Sequence, residues 1–358
     1  MNPMIGSFVY ESLPGRVVFG AGAIRQLSEE IAALGLSRAL VVTTPAQEDL
    51  AQMVAARIGG ACAAIFAGAA MHTPVGVTEQ ALQLVNTHQA DALISIGGGS
   101  ALGLSKALAL RTDLPQVAIP TTYAGSEMTP ILGETQDQAK TTLRDPKVLP
   151  ELVIYDAELT LELPVGISGT SALNAIAHSV EALYARESNP VIRLLAAEGI
   201  RSLASALPGI AADQRDVSAR EMAQYGAWLC GMCLAGAGMA LHHKLCHTLG
   251  GSFGLPHAET HAVVLPHALA YNAPAVPEAM ATLRVVLDAD DPALALQRLG
   301  RTMGAPASLR ELGLAESDIE TTVERTMASP YWNPRPLERG ALQETLWRAW
   351  AGTAPASE

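Results

Sequence analysis

Short runs of hydrophobic residues recur along residues 1–160, separated by amphipathic stretches. The runs are rich in Val, Ile and Ala, and they predict buried strands at Val17–Phe19, Ala39–Thr43, Ala63–Ala67, Ala92–Ile96, Gln116–Pro120 and Leu152–Asp156. The stretches between them predict helices at Ala23–Leu34, Glu48–Ile58, Val77–His88 and Ala101–Leu110. Alternating strands and helices are typical of βαβ units, so we expect a doubly wound, mostly parallel sheet.

After Pro164 the strand pattern stops and the hydrophobic period becomes helical. The predicted helices are Ser171–Ala185, Val191–Leu207, Ser218–Leu234, Met239–Leu249, Ala293–Met303 and Leu337–Ala351. Gly and Pro are expected to separate them at Pro208-Gly209, Gly250-Gly251, Pro256 and Pro330. We therefore expect an α/β domain at residues 1–160, an all-helical domain at residues 161–358, and an active site in the cleft between them.

Charge and composition narrow the possible partners. The 358 residues include 23 Lys+Arg against 35 Asp+Glu, a formal net charge of −12. This charge disfavours nucleic acid and anionic lipid, which proteins bind by neutralising phosphates. No apolar run has the length of a membrane span, and the N-terminus lacks the layout of a secretory signal. We expect a cytoplasmic protein with a small-molecule partner.

The four cysteines include one CxxC pair, Cys230 and Cys233. This pair lies in an Ala/Gly/Leu/Met-rich stretch that predicts a helix, rather than at a strand-to-helix turn. Two small buried core residues are therefore the favoured interpretation, with a redox or zinc role as the alternative.

A glycine run marks a candidate phosphate site in the first half. Gly97-Gly98-Gly99-Ser100 follows one predicted strand and opens a predicted helix, which places backbone N–H groups at the positive end of a helix. A plain tight turn is the alternative. The next strand is followed by a hydroxyl-rich loop, and the cofactor-binding candidates are Gly97, Gly98, Gly99, Ser100, Thr121, Thr122 and Ser126.

The pattern differs from that of an ordinary Rossmann dehydrogenase. Gly20-Ala21-Gly22 does not complete the G-x-G-x-x-G fingerprint. After the second strand, where an acidic side chain would bind the ribose 2′-OH, the chain has Thr43-Thr44-Pro45. Because no carboxylate stands there to repel a 2′-phosphate, we expect the cofactor site, which includes Thr44, to bind either NADH or NADPH.

Histidines are concentrated in the second half. Asn174 and His178 lie four residues apart on one predicted helix, and His243 and His247 do so on another, so each pair shares a helix face. His257 follows a glycine-rich turn. Hydrogen-bonded core histidines are the simplest interpretation of any one of these, but the clustering favours a metal site or an acid–base site.

These motifs resemble the iron-containing alcohol dehydrogenase superfamily, also called dehydroquinate synthase-like, along almost the whole chain. The resemblance implies a dinucleotide-binding α/β domain, a helical domain and a metal. Its four metal-ligand positions fall here on Asn174, His178, His243 and His257. The superfamily has Asp at the first of these, and a neutral amide is a poor metal ligand. We therefore expect no metal.

More specifically, the chain resembles maleylacetate reductases, a branch that dispenses with metal. The matching segments are Phe8–Gly20, Pro120–Glu134, Lys140–Asp145, Leu149–Asp156, His242–Asn272 and Asn333–Glu338. Gly103 replaces the Asp that metal-dependent relatives carry three residues after the GGGS serine, and Ala258 replaces their usual Gly after the last metal-binding His. Both departures fit this branch.

The resemblance implies NAD(P)H-dependent reduction of maleylacetate to 3-oxoadipate in the breakdown of aromatic compounds, by a homodimer. We expect His243, His178 and Lys244 to stabilise the developing oxyanion. The other expected roles are a second donor or proton relay at Tyr123, substrate contact at Asn174, the cleft wall at His257, and cofactor contact at His247 and Lys140. Substrate carboxylates are expected to bind Lys244, Arg144 or Lys140, although Arg144-Asp145 also fits a surface ion pair. The alternatives are a metal-dependent alcohol dehydrogenase and a non-catalytic cofactor-binding protein.

Overall fold

The computed structural model describes residues 8–13, 15–136 and 139–356, with the backbone alone at 139 and 140. The chain divides into two compact bodies: an α/β body, Leu13–Glu162, and a helical body that begins at Leu163 and also takes in residues 8–12. The division lies close to the expected one, except that the N-terminal segment groups with the helices. Within the described ranges, no helix combines the length and hydropathy of a membrane span.

Six parallel strands form the sheet of the α/β body, in the order β1-β8-β5-β4-β2-β3. The strands are β1 (Arg16–Phe19), β2 (Ala39–Val42), β3 (Cys62–Phe66), β4 (Ala92–Gly97), β5 (Gln116–Pro120), β6 (Ile131–Gln136), β7 (Ala139–Arg144) and β8 (Leu152–Tyr155). All six predicted strands are confirmed. The antiparallel hairpin of β6 and β7 was not predicted, because its strands are largely polar and contain few apolar residues.

Helices cover both faces of the sheet. They are α1 (Leu27–Ala33), α2 (Glu48–Ile58), α3 (Val75–His88) and α4 (Gly99–Thr112), and the predicted Ala23–Leu34 helix begins as a 3₁₀ turn. Residues of α1 and α2 share one hydrophobic core with the sheet, and residues of α3 and α4 share another. The chain leaves β2 and β4 in opposite directions, so the carboxyl ends of these two strands form the topological switch point.

The rest of the chain is helical, as predicted. The helices are α5 (Val165–Tyr184), α6 (Pro190–Ala212), α7 (Val217–Gly236), α8 (Leu241–Phe253), α9 (His257–Asn272), α10 (Pro277–Val286), α11 (Pro292–Thr302), α12 (Asp318–Ala328) and α13 (Arg339–Ala351). Side-chain caps explain several starts: Asn189 accepts from the N–H groups of Val191 and Ile192, and Asp216 accepts from those of Ser218 and Ala219. Helix α5 is buried along most of its length.

Two sequence predictions about this body were wrong. Helix α6 continues through Pro208-Gly209 and α8 continues through Gly250-Gly251, because the buried side chains around these residues, such as Leu207 and Ile210, favour continued packing over the local breaking tendency. Helices α9, α10 and α12 were not predicted. Helix α9 is buried almost all round and contains Pro266, so it shows no amphipathic period.

Candidate active site

The glycine cradle of the α/β body lies at the carboxyl end of β4, beside the switch point. Gly97 has φ of +142°, and a Cβ there would lie 2.8 Å from Gln47 Oε1. A Cβ on Gly98 would lie 2.9 Å from Thr122 Cγ2. Helix α4 begins at Gly99, which is exposed, so its first N–H groups are open to an anion. The local structure therefore fits a phosphate cradle.

Several of the predicted cofactor residues lie at this cradle. One cavity is lined by Gly97, Gly98, Gly99, Thr122, Ser126 and others of the same loops. Thr121 Oγ1 accepts from Gln47 Nε2 at 2.9 Å, and Thr43, next to Thr44, donates to the Ile96 carbonyl at 2.8 Å. The ends of β2, β4 and β5 thus meet at one place, with Ser100 on the first turn of α4.

Lys106 organises the loop after β5, and sequence analysis missed it. Its buried Nζ donates to the carbonyls of Ser126, Thr129 and Ile131 at 2.7, 2.7 and 3.0 Å. Burial lowers the pKa of Lys106 to about 7, whereas the carbonyl contacts favour the ammonium form. A lysine within an apolar helix just after a glycine cradle was the available signal.

Three other predicted residues lie elsewhere in this body. Tyr123 is buried, and its hydroxyl donates to Thr160 Oγ1 at 3.2 Å, so the hydroxyl has a partner within the α/β body. Its role in proton transfer stays a prediction. Arg144 ends β7 and is exposed. The side chain of Lys140 lies outside the described residues.

The helical body brings five predicted or neighbouring histidines together; we call them the imidazole cluster: His178, His243, His247, His257 and His261. The rings of His178 and His243 stack with centroids 5.1 Å apart. His261 lies 5.0 Å from His243 and 4.3 Å from His257, and His247 lies 6.2 Å from His243. Helices α5, α8 and α9 supply these rings. His178 and His243 are buried, whereas His247 and His257 are exposed.

Glu181 is the main residue of this site that sequence analysis missed. Its carboxylate is fully buried on α5 and accepts from His243 Nδ1 at 2.7 Å and from the N–H groups of Ala240 and His242, each at 2.8 Å. An acceptor there places a proton on His243 Nδ1, so Nε2 remains to face a ligand. The signal was a lone acidic residue three positions after His178 in an apolar helix.

Several polar atoms of the cluster and of the neighbouring Asn174 are buried without a hydrogen-bond partner among the described residues. They are Asn174 Oδ1, His178 Nδ1, His243 Nε2 and His261 Nε2. A buried polar atom left unsatisfied costs about 1–3 kcal/mol, so such atoms are normally completed by a ligand or water. Burial, and then the neighbouring histidines, lower the pKa of His178 well below its usual value, so this ring is neutral at neutral pH.

His242 and His261 form a second pair of neighbouring histidines, beside the stacked rings of His178 and His243. His242 Nε2 lies 2.9 Å from His261 Nδ1, a hydrogen-bond distance, and Cys246 Sγ lies 3.8 Å from His242 Nε2. Burial lowers the pKa of both histidines, so the pair is neutral. This hydrogen bond orients the His261 ring beside His243.

The donor set does not fit the iron that the superfamily binds. Asn174 presents a neutral amide, so the set has no anionic ligand. His178, His243 and His257 do not form a group with mutually close ligand atoms; among the described residues such a group is formed by His242, Cys246 and His261, whose atoms lie within 4.8 Å.

Gly103 differs from the superfamily for a steric reason. A Cβ at this position would lie 2.4 Å from Thr73 Oγ1. The Asp of the metal-dependent relatives therefore does not fit here unless Thr73 moves.

Lys244, which follows His243 in the chain, and His247, a member of the cluster, both contact Tyr331. Lys244 Nζ lies 5.1 Å from the centroid of the Tyr331 ring, and His247 Nδ1 lies 3.2 Å from its hydroxyl. Tyr331 was not predicted, because it follows α12 in a segment without regular structure.

The core interpretation of the CxxC pair is confirmed. Cys230 and Cys233 are free, buried residues of α7. Burial raises the pKa of Cys233 to about 12, and that of Cys230 further, so both are inert thiols.

Comparisons with known proteins agree with this architecture. Residues 14–157 match the family model for iron-containing alcohol dehydrogenases, and residues 168–350 match the model for the C-terminal part of the same family. The chain is 55% identical to the maleylacetate reductase of Rhizobium sp. (strain MTP-10005), covering 97% of this chain and 99% of that one. It is 52% identical to the maleylacetate reductase of Pseudomonas sp. (strain P51), over 98% and 99% of the two chains.

A solved structure gives the same result in three dimensions. The crystal structure of maleylacetate reductase from Agrobacterium tumefaciens superposes with a TM-score of 0.94 at 52% identity, covering 98% of this chain and 100% of that one. The resemblance inferred from the sequence is thus confirmed. The chain belongs to the iron-containing alcohol dehydrogenase family, within its maleylacetate reductase branch.

Proposed function

We propose that this protein reduces the carbon–carbon double bond of maleylacetate with NAD(P)H to give 3-oxoadipate, in the catabolism of aromatic compounds. The observation that carries the proposal is the buried Glu181–His243 pair, whose His243 Nε2 has no partner among the described residues. Relatives with more than half of their residues identical carry the same name. A conjugated ketone needs such a donor where charge develops on its oxygen.

The cofactor is held by the glycine cradle. The N–H groups at the start of α4 bind the pyrophosphate, and Thr122 and Ser126 line the adjoining wall. Bound NAD(P)H supplies the hydride. Thr44 presents no carboxylate toward the ribose, so we propose that both NADH and NADPH are accepted.

His243 stabilises the reacting ketone. Hydride addition to the carbon β to the ketone moves negative charge onto the ketone oxygen as an enolate. As the imidazolium, with a proton on each ring nitrogen, His243 donates from Nε2 to that oxygen, and the Glu181 carboxylate stabilises its positive charge through Nδ1. The neutral His178 ring stacks on His243 and limits its rotation. The α-carbon of the enolate then takes the Nε2 proton of the His243 imidazolium, which gives 3-oxoadipate and leaves His243 neutral.

We propose that this reaction needs no metal ion. The amide of Asn174 supplies no charge for binding a divalent cation, and Gly103 lacks the acidic side chain that the metal-dependent relatives carry at this position. Asn174 instead has an amide group available to the substrate.

The test of function compares two substrates with one enzyme preparation. Oxidation of NADH and of NADPH is followed by absorbance with freshly generated maleylacetate, and the product is identified by mass. Reduction of NAD⁺ by a panel of primary alcohols is measured in parallel. We expect fast turnover of maleylacetate and negligible alcohol oxidation. Alcohol oxidation that exceeds maleylacetate reduction would instead support a metal-dependent alcohol dehydrogenase, and no turnover of either would support a non-catalytic cofactor-binding protein.

We propose that the protein is cytoplasmic and forms a homodimer. Its four cysteines are all free, which agrees with a reducing cytoplasm. A homodimer is the family-level expectation, and light scattering of the purified protein measures it directly.

A further inference from the structure

A cavity of about 330 Å³ lies in the helical body, between the end of α12 and the start of α13. It is lined by Met327, Pro330, Tyr331, Asn333, Arg335, Pro336 and Leu337. We call it the Arg335 cavity. Most residues of the Asn333–Glu338 segment line this cavity, and the proposed reaction gives that segment no role.

The guanidinium of Arg335 is held rigidly at this cavity. Its Nη1 donates to the Tyr271 carbonyl at 2.8 Å, and its Cζ lies 4.5 Å from the centroid of the Tyr271 ring. The Tyr271 hydroxyl donates to the Pro336 carbonyl at 2.8 Å and accepts from the Glu338 N–H at 3.0 Å. Tyr271 therefore fixes both the arginine and the loop that carries it.

Asn333 ties the same loop to the helix of the active site. Its Oδ1 accepts from the Leu241 N–H at 3.3 Å, at the first residue of α8. Its amide pairs with that of Asn272, through bonds of 2.7 and 2.9 Å. The cavity wall is thus attached to the helix that carries His243, Lys244 and His247.

Tyr331 connects the cavity to the imidazole cluster. It lines the cavity, and it contacts both Lys244 and His247. The His247 ring in turn lies 6.2 Å from that of His243. The cavity and the proposed proton donor are therefore neighbours within one body.

The charges at the cavity are those of an anion site. Across the described part of the chain, neither Arg335 nor Lys244 forms an ion pair within 4 Å, although the protein carries a net charge of −12. Arg335 uses one of its five N–H donors to bind the Tyr271 carbonyl. A planar fork with free donors is the geometry that binds a carboxylate through two hydrogen bonds.

We propose that Arg335 binds one carboxylate of the substrate in this cavity, with Lys244 beside it across Tyr331. The identity of the anion as a dicarboxylate rests on the proposed function, whereas the anion site itself rests on the contacts above. Arg335 thereby selects dicarboxylates over monocarboxylates of the same length.

The test uses adipate and hexanoate, a six-carbon dicarboxylate and a six-carbon monocarboxylate, as binding probes. Binding to the full chain in the presence of NADH is measured by calorimetry for the wild type, Arg335→Met and Arg335→Lys. Arg310→Met is the matched control, because Arg310 also stacks on an aromatic ring, that of Trp350, and does not line the cavity. The same variants are assayed for KM with maleylacetate and with NADH.

We expect the wild type and Arg310→Met to prefer adipate by roughly 10- to 100-fold, the range of a charge-assisted hydrogen-bonded pair. Arg335→Met loses that preference and raises the maleylacetate KM by a similar factor, with the NADH KM unchanged. Arg335→Lys retains part of both. An adipate preference that survives in Arg335→Met overturns the proposal; if that variant does not fold, wild-type affinity in Arg335→Lys overturns it. Adipate binding that depends on Arg335, without maleylacetate turnover, would refute the proposed reaction and leave the anion site standing.

Discussion

The glycine cradle and the imidazole cluster are built from different parts of the amino acids. The cradle consists of backbone N–H groups and of missing side chains, at Gly97 and Gly98. The cluster consists of side chains that orient one another, and its central contact joins Glu181 on α5 to His243 on α8. The phosphates of a cofactor can be bound by backbone N–H groups at a helix start, provided that no side chain blocks their approach. Catalysis of one particular reaction requires side-chain donors that are held in a fixed orientation.

This difference predicts how each region responds to change. Adding atoms should harm the cradle, because its function depends on close approach. Removing single polar atoms should harm the cluster, because its buried groups depend on their partners.

Removal of the proposed proton donor has the largest expected effect. His243→Ala should lower kcat by roughly 10²- to 10⁴-fold, the usual contribution of a positioned acid–base group. The affinity for NADH, measured by fluorescence titration, should stay unchanged, since the cradle lies in the α/β body. His88→Ala, at an exposed position in the α/β body, is the control. Near-normal turnover by His243→Ala would remove this residue from the mechanism.

Neutralising the partner of His243 has the next largest effect. Glu181→Gln should lower kcat by roughly 10- to 100-fold with little change in KM, because the imidazolium loses its charged partner. The slope of log kcat against pH should change as well. Glu187→Gln is the control, because Glu187 accepts from the Gly238 N–H just before α8 and, among the described residues, forms no hydrogen bond or ion pair with a histidine. A loss shared equally by both variants would indicate a purely structural role.

Filling the cradle should affect binding alone. A methyl group on Gly98 meets Thr122, and overpacking of this kind costs about 1–3 kcal/mol, so Gly98→Ala should weaken NADH binding by about tenfold. Turnover at saturating cofactor should stay near that of the wild type. Gly76→Ala is the control, since a Cβ there meets nothing within 4 Å. Unchanged NADH affinity in Gly98→Ala would contradict the cradle assignment.

Lowering the pH should reduce the stability of the helical body through His267, an effect smaller than those above. Burial lowers the pKa of His267 to about 4, so the unfolded chain gains a proton near pH 6.5 while the folded helical body does not. The stability from His267 is present above about pH 6.5 and is lost as pH falls, at about 1.4 kcal/mol per pH unit.

Urea unfolding at about pH 7.5 and pH 5.5 measures this loss. The wild type should lose more stability than His267→Gln over that interval. Equal losses in the two proteins would show that His267 is protonated in the folded state.

Sequence analysis located features that depend on neighbouring residues in the chain. The cradle at Gly97-Gly98-Gly99, the six sheet strands and the i,i+4 pairs on α5 and α8 were all predicted, since each has a local pattern. It missed α9, whose burial hides its period, the shorter helices α10 and α12, and the polar hairpin of β6 and β7.

The partners of the site residues were not predictable from local pattern. Glu181 meets His243 across two helices, and Tyr331 and Arg335 meet α8 and α9 from a segment far along the chain. Such contacts arise from tertiary packing, so no spacing in the sequence indicates them. The resemblance in Asn333–Glu338 marked the segment but gave no role for its arginine.

The central claim is that the imidazole cluster performs this reduction without a metal ion. The most direct measurement is single-turnover oxidation of bound NADH by maleylacetate, using protein treated with a chelator and shown by elemental analysis to lack metal. The account predicts full-rate turnover that added iron or zinc does not increase. Turnover that appears only after a metal is restored, in proportion to the metal bound, would contradict it.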